Sequence, residues 1–187
     1  MPLESSRRKI LLVTNDLGPR SGGIETFIPG LLEKLDGSQI VILTSAQEGG
    51  LDFDKELNRK FGLVVYRDRS KVLLPTPRVI RRTKELMRAH EATTIWFGAA
   101  APLALMASNL RRAGAKRIIA LTHGHEVWWA KLPLFNLAMR RIGNSSDVLT
   151  YLGPYTKSAI AKSVGKKVSL VQIAPGISTE LFQPGGK

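Results

Sequence analysis

Between Lys9 and Phe27 (KILLVTNDLGPRSGGIETF) an apolar run, a glycine-rich loop and a helical pattern follow one another without a gap. Ile10-Leu11-Leu12-Val13 reads as a strand buried on both faces. The loop holds Gly18, Pro19, Gly22 and Gly23. Then Ile24, Phe27, Ile28, Leu31, Leu32 and Leu35 recur at i, i+3, i+4, i+7, i+8 and i+11, the stripe of an amphipathic helix. Strand, glycine loop and helix in that order open a doubly wound α/β domain. Adjacent glycines let a phosphate approach the backbone, and the first helical turn offers N–H groups and the positive end of the helix dipole. A tight βα turn that binds nothing has the same pattern, and this stretch alone leaves both readings open. The spacing is neither G-x-G-x-x-G nor G-x-x-x-x-G-K-[ST], which argues against a dinucleotide dehydrogenase or a P-loop nucleotidase.

The rest of the chain repeats the theme. Further strands are expected at 39–44 (QIVILT), 63–66, 94–97 (TIWF), 117–121 (RIIAL), 147–151 and 168–173. The second ends in Ser45, not in the acid that holds a ribose in a dinucleotide fold. Pro29 falls inside the first helix and predicts a kink. Residues 46–60 are polar, with Gly49-Gly50 and room for a short helix. Thr76 and Pro77 are suited to N-cap and N1 of a helix over 78–90, with an apolar stripe of Val79, Ile80, Leu86 and Met87. Pro102 is expected near the start of another helix, Pro133 and Pro154 of two more. Alternating βα units predict a Rossmann-like, mainly parallel sheet with helices on both faces. Its ligands would lie outside the carboxyl ends of the strands. Three loops share that edge: the glycine loop, Phe97-Gly98, and His123 to Glu126.

With 187 residues and 43% apolar content the chain can form one domain with a sizeable core. It lacks cysteine, which excludes disulfides and thiolate-bound metals and fits a reducing compartment. Residues 1–8 (MPLESSRR) are polar with no apolar h-region after them, so they read as a loose lead-in rather than a secretory leader. The longest apolar stretch, 95–107, is too short to span a bilayer. Lysine and arginine number 28 against 15 acids, a net charge of +13 that favours an anionic partner. Aromatic residues are few and do not interleave with the basic ones as a nucleic-acid platform would, so nucleic acid is not expected.

The helix after Pro77 carries Arg78, Arg81 and Arg82 off its apolar stripe. They suit contact with anionic lipid or a merely solvated outer face. Trp128 and Trp129 beside Lys131 suit a membrane interface or a core. The segment Thr122-His123-Gly124-His125-Glu126 holds two of the three histidines. On an extended loop His123 and His125 would point one way and Glu126 the other. Metal binding, acid–base chemistry, hydrogen bonding to a hydroxylated substrate and simple loop capping all remain open. Two histidines and a carboxylate without the helical H-E-x-x-H register do not make a metal site by themselves. No serine has the nucleophile-elbow context and no cysteine exists, so covalent catalysis has no candidate.

The strand followed by ND-x-x-P-R-x-GGI-E at 15–25 resembles the N-terminal half of a family 4 retaining glycosyltransferase with the two-domain GT-B fold. LPTP at 74–77, WFGAAAPLALMA at 96–107, THGHEV at 122–127 and DVLTY at 147–151 resemble the actinobacterial GDP-mannose-dependent phosphatidylinositol mannosyltransferases, in particular those acting on phosphatidylinositol monomannoside. The resemblance covers about residues 9–184. It implies that residues 9–173 form the acceptor-binding domain and that 174–187 begin an interdomain linker, with the donor-binding domain absent and the fragment inactive alone. It implies Gly22 and Gly23 at the donor diphosphate and His123 as the catalytic histidine, which positions the sugar and polarises the reacting centre. Asn15, Asp16, His125 and Glu126 would shape the acceptor site, and Arg78, Arg81, Arg82, Trp128 and Trp129 would meet the membrane. The expected partners are a sugar nucleotide, a phosphoinositide-type lipid acceptor, an anionic membrane surface and the missing domain. No metal or other cofactor is expected, and the place of action is the cytoplasmic face of the plasma membrane. A related transferase with another sugar nucleotide or lipid, or a non-catalytic basic module on anionic membrane, is the competing expectation.

Overall fold

The computed structural model describes residues 9–19, 23–124 and 133–174. Seven strands form one sheet: β1 (Lys9–Thr14), β2 (Ile40–Thr44), β3 (Val64–Arg67), β4 (Ala92–Phe97), β5 (Arg117–Ala120), β6 (Val148–Tyr151) and β7 (Ser169–Gln172). Their order is β3-β2-β1-β4-β5-β6-β7 and every pairing is parallel. The helices are α1 (Gly23–Leu32), α2 (Gly50–Phe61), α3 (Pro77–Ala89), α4 (Ala107–Arg111), α5 (Pro133–Ser145) and α6 (Pro154–Val164).

Right-handed crossovers account for the layers. The chain steps one way from β1 to β3, which puts α1 and α2 on one face. Leu12, Ile42 and Trp96 pack there against Ile28, Leu32 and Leu57. From β3 the chain returns past β1 and steps the other way, which puts α3 to α6 on the opposite face. Leu11, Val41, Ile95 and Leu149 meet Val79, Leu86, Leu110, Met139 and Ile160 there. Strands covered on both faces must be apolar at consecutive positions, and Leu11, Leu12 and Val13 are all fully buried. The direction of winding reverses between β1 and β4, the switch point of the sheet.

The expected helix signals hold at α3. Thr76 accepts a bond from the Val79 N–H and Pro77 occupies the first turn. Val79, Leu86 and Met87 are buried, and Thr83 joins them by donating its hydroxyl to the Val79 carbonyl at 2.8 Å. The polar stretch after β2 forms a three-turn helix, α2, running between left-handed glycines at 49 and 62.

Two expectations are corrected. Leu35 lies beyond α1 and is 47% exposed. Bonds from Lys34 to Leu31 and from Leu35 to Leu32 tighten the helix end and turn Leu35 off the stripe. Pro102 opens no α-helix; a 3₁₀ turn at Leu103–Met106 comes first, with the Leu105 N–H bonded to the Pro102 carbonyl. Ala100, Leu103, Ala104 and Met106 are all fully buried, so packing compresses this segment against the core. Pro29 does lie inside α1, and its carbonyl still accepts from the Glu33 N–H at 2.9 Å.

α5 and α6 touch through Gly143. A Cβ there would lie 2.8 Å from Val164 Cα, a contact that side chains do not tolerate. Gly143→Ala should therefore force the two helices apart and lower stability by about 2 kcal/mol. Urea unfolding of the two proteins checks this, and an unchanged midpoint would contradict the packing.

Candidate active site

The carboxyl ends of β1, β4 and β5 meet at one point. The Gly98 N–H donates to the Val13 carbonyl at 3.0 Å, so the β1–β4 ladder runs one step past the strand end. The Leu121 N–H donates to Phe97 at 3.0 Å, and the Ala100 N–H donates to Leu121 at 2.7 Å. A Cβ on Gly98 would stand 2.6 Å from the Cβ of Thr14 and 3.4 Å from Ile28 Cδ1. Only glycine permits β1, β4 and α1 to come this close.

His123 follows β5 at this junction. Its Nε2 bonds the Gly98 carbonyl at 2.5 Å. A carbonyl only accepts, so Nε2 donates a proton in this bond. The ring of Phe27 from α1 meets the imidazole edge-on, with centroids 5.6 Å apart. Thr122 anchors the segment by donating its hydroxyl to the Thr150 carbonyl of β6 at 2.5 Å. His123 is thus held from β4, from α1 and, through its neighbour, from β6. Gly124 has φ of 99°, so the extended alternation expected for this loop stops there: glycine alone enters that region freely and the chain turns. His125, Glu126, Trp128 and Trp129 lie outside the described residues, as does Gly22. Gly23 is the first residue of α1.

Asn15 and Asp16 leave β1 at the same edge. The Asn15 side chain accepts from the Leu73 N–H at 2.6 Å and donates to the Leu73 carbonyl at 3.1 Å. Gln47 donates to the Asn15 carbonyl at 3.2 Å. Asn15 therefore fixes the segment between β3 and α3 against β1, which shapes the edge from beneath. The Asp16 N–H bonds Thr14 Oγ1 at 3.0 Å. Leu17, fully buried, and Gly18 begin the glycine loop.

Arg67, which the sequence does not single out from its neighbours, secures that loop. It makes a two-pronged pair with Asp54 of α2, both contacts 2.8 Å, and donates to the carbonyls of Ser45 and Gly18 at 3.1 and 3.0 Å. Its partners are 13 to 49 residues away, and only the fold brings them together. Next to this group, Thr44 Oγ1, Ser45 Oγ and Gln47 Oε1 are buried without a hydrogen-bond partner.

Arg78 is also engaged within the chain. It grips Asp68 with contacts of 2.7 and 2.8 Å and reaches Ser70 Oγ at 2.7 Å. Arg81 and Arg82 stay at the exposed surface of α3, 3.8 and 3.5 Å from Glu85. Arg82 also lies 5.8 Å from the centre of the Tyr66 ring. Val72 and Leu74, both roughly half exposed, precede this helix. Among the described residues no cluster of three His, Asp or Glu side chains could hold a metal ion. No helix there is long and apolar enough to cross a membrane.

The family model and the curated relatives agree on one group. A model described as Glycosyltransferase Family 4 matches residues 21–181. The chain is 43% identical over 178 residues to the GDP-mannose-dependent alpha-(1-6)-phosphatidylinositol monomannoside mannosyltransferase of Mycobacterium tuberculosis (strain CDC 1551 / Oshkosh), which covers 94% of this chain and 46% of that protein. It is 40% identical over 182 residues to the GDP-mannose-dependent monoacylated alpha-(1-6)-phosphatidylinositol monomannoside mannosyltransferase of Corynebacterium glutamicum, covering 96% of this chain and 47% of that one. The chain thus spans about half the length of the relatives it matches. Among solved structures, Anabaena Alr3699/HepE in complex with UDP and glucose superposes with a TM-score of 0.68 at 12% identity, over 93% of this chain and 46% of that one. At that identity the likeness speaks for the fold.

Two outcomes test the geometry. Gly98→Ala should cost about 2 kcal/mol or more, because Thr14 and Ile28 must move. A melting temperature equal to that of the unaltered protein would contradict the close approach. The Arg78 guanidinium, helped by Ser70 and opposed by burial, holds the Asp68 carboxyl down at about 2. An unfolded aspartate titrates near 3.9, so the pair's contribution of about 2 kcal/mol is whole above about pH 4 and is lost as pH falls through the folded value. Asp68→Asn should be less stable near neutrality and show a shallower decline in acid, and parallel stability–pH curves would remove the pair from the account.

Proposed function

The chain belongs to Glycosyltransferase Family 4, and from that membership we propose that it is the acceptor-binding half of a retaining mannosyltransferase. The donor would be GDP-mannose and the acceptor a phosphatidylinositol mannoside at the cytoplasmic surface of a membrane. The observation that carries this reading is the 43% identity, running through 94% of the chain, to a relative named for that reaction.

The geometry supports the reading. Sugar transfer needs a site at the carboxyl edge where an acceptor hydroxyl, the anomeric carbon and the leaving phosphate come together. His123 stands there with its ring oriented by Gly98 and Phe27. A ring held this firmly orients the sugar and polarises the reacting centre without reorganising during the reaction. It is not placed as a nucleophile; transfer would proceed on one face of the sugar, with the departing phosphate assisting. The N-terminal turn of α1, beginning at Gly23, would face the diphosphate together with Gly22. Asn15 would hold the acceptor side of the edge in shape, with Asp16, His125 and Glu126 beside it.

Membrane contact would come from the same edge. Arg81 and Arg82 supply charge and the exposed Val72 and Leu74 supply apolar surface, the pair of signals that weak membrane binding needs. Arg78 serves chiefly to fix Asp68, and Trp128 and Trp129 would add interfacial anchors. The reaction as proposed uses no metal or cofactor.

The test joins this chain to the second half of the Mycobacterium tuberculosis relative and measures mannose transfer from GDP-mannose to phosphatidylinositol monomannoside in vesicles. The joined protein should transfer mannose, and His123→Ala should lower the rate about a hundredfold with folding intact. Transfer that survives the substitution would remove His123 from the mechanism. A folded joined protein that uses other sugar nucleotides but not GDP-mannose would overturn the choice of donor.

A further inference from the structure

The opposite edge of the sheet, at the amino ends of the strands, holds a feature that the transferase reading leaves unused. A cavity of about 420 Å³ opens where α4 ends, α5 ends and the turn into β7 begins. Gly143 creates this meeting point, since its missing side chain lets α6 close on α5 and brings Lys167 beside Asn144 and Ser146.

The charges there do not cancel. Asp147 accepts from Arg111 at 2.6 Å and from the Ile118 N–H at 2.7 Å. Arg111 also donates to the Lys116 carbonyl at 2.8 Å, so both members of this pair are committed to the fold. Arg112 and Lys167 also line the cavity, are exposed and form no ion pair among the described residues. Two serines that line the cavity have anomalous hydroxyls. Ser108 Oγ and Ser146 Oγ are buried without a hydrogen-bond partner, and Ser146 as a whole is only 6% exposed. A buried hydroxyl without a partner is destabilising and uncommon. Neither has a bond to lose by rotating about its one side-chain torsion toward the cavity.

We propose that this cavity is a binding site for a phosphate-bearing ligand, with Arg112 and Lys167 as its cations and Ser108 and Ser146 as hydroxyl donors. A phosphomonoester carries nearly two negative charges and three acceptor oxygens, which matches two cations and two unmet donors. A carboxylate would leave donors unmet. A nucleic-acid strand would want an aromatic platform, and none lines the cavity. The site stands on residues remote from His123 and does not depend on the transferase reading.

The test titrates the isotope-labelled 187-residue chain with inorganic phosphate and follows backbone amide signals. Saturable shifts should concentrate at 108, 144–147 and 166–167. The Arg112→Ala, Lys167→Ala double variant should bind about tenfold more weakly, and Ser146→Ala should weaken binding by a smaller factor at a melting temperature no lower than that of the unaltered protein. Absence of saturable shifts at these positions, or equal affinity in the double variant, would overturn the proposal. Sedimentation with phosphatidylinositol vesicles then separates the sources. Vesicle binding lost in the double variant would support the site with a lipid headgroup as ligand. Vesicle binding unchanged alongside weakened phosphate binding would support it with a soluble phosphoester.

Discussion

The absent side chain at Gly98 sets how closely β1 and β4 approach at their carboxyl ends, and the carboxyl edge is built on that approach. These strands flank the point where the winding reverses, so no crossover helix fills the space directly beyond them. Gly98 meets this by having only backbone to offer. Its N–H extends the ladder to Val13, its carbonyl receives His123, and its bare Cα lies under Thr14 and Ile28. One residue thereby ties β1, β4, β5 and α1. The imidazole gets its orientation from backbone that is itself part of the sheet, which is more rigid than any side-chain partner on a loop.

Three of the arginines prove to be structural. Arg67 pairs with Asp54 of α2, Arg78 with Asp68 just after β3, and Arg111 with Asp147 just before β6. Each guanidinium also reaches a further oxygen, on Gly18, Ser70 and Lys116 respectively. The planar fork of arginine suits this use, since it satisfies several acceptors at once in a partly buried place. Breaking such a pair by removing one member leaves a charge stranded, so these positions hold loops by constraint more than by net attraction. Because each of these arginines is matched by an aspartate, the three pairs leave the net charge of +13 unchanged, and attraction to an external anion falls to basic residues outside them.

The sequence made the layers legible because burial on both faces leaves a plain mark. Leu11, Leu12 and Val13 are consecutive apolar residues with no polar alternation, which a one-sided strand would not show. Thr76-Pro77 was equally readable, since capping is local chemistry. His123 stood out by residue type at a strand end, in the order that an α/β edge requires. Other features were not readable, for one shared reason: the cause sits far along the chain. Arg67 looks like Arg69 until Asp54 and Gly18 fold against it. Asn15 looks like a turn residue until Leu73 meets it 58 positions later. Leu35 continues a helical period perfectly well, yet the turn into β2 removes it from the helix.

The two edges of a parallel sheet are not electrically equivalent, and this bears on how each could bind an anion. Helix N-termini gather at the carboxyl edge, where a diphosphate would meet the positive end of α1. Helix C-termini gather at the amino edge, where α4 and α5 present carbonyl groups that repel anions. Arg111 and Arg112 at the end of α4, and Lys162, Lys166 and Lys167 at and after the end of α6, offset that negative field. Part of the basic character of this edge is therefore the ordinary complement of helix dipoles. What the dipoles do not require is a pair of serines lining the same cavity whose hydroxyls are buried without partners. Cations alone would serve the helices; cations combined with unmet donors serve a ligand. An anion there works against the carbonyl ends and with the side chains, so binding at the amino edge must be carried by Arg112 and Lys167, whereas binding at the carboxyl edge draws on the backbone.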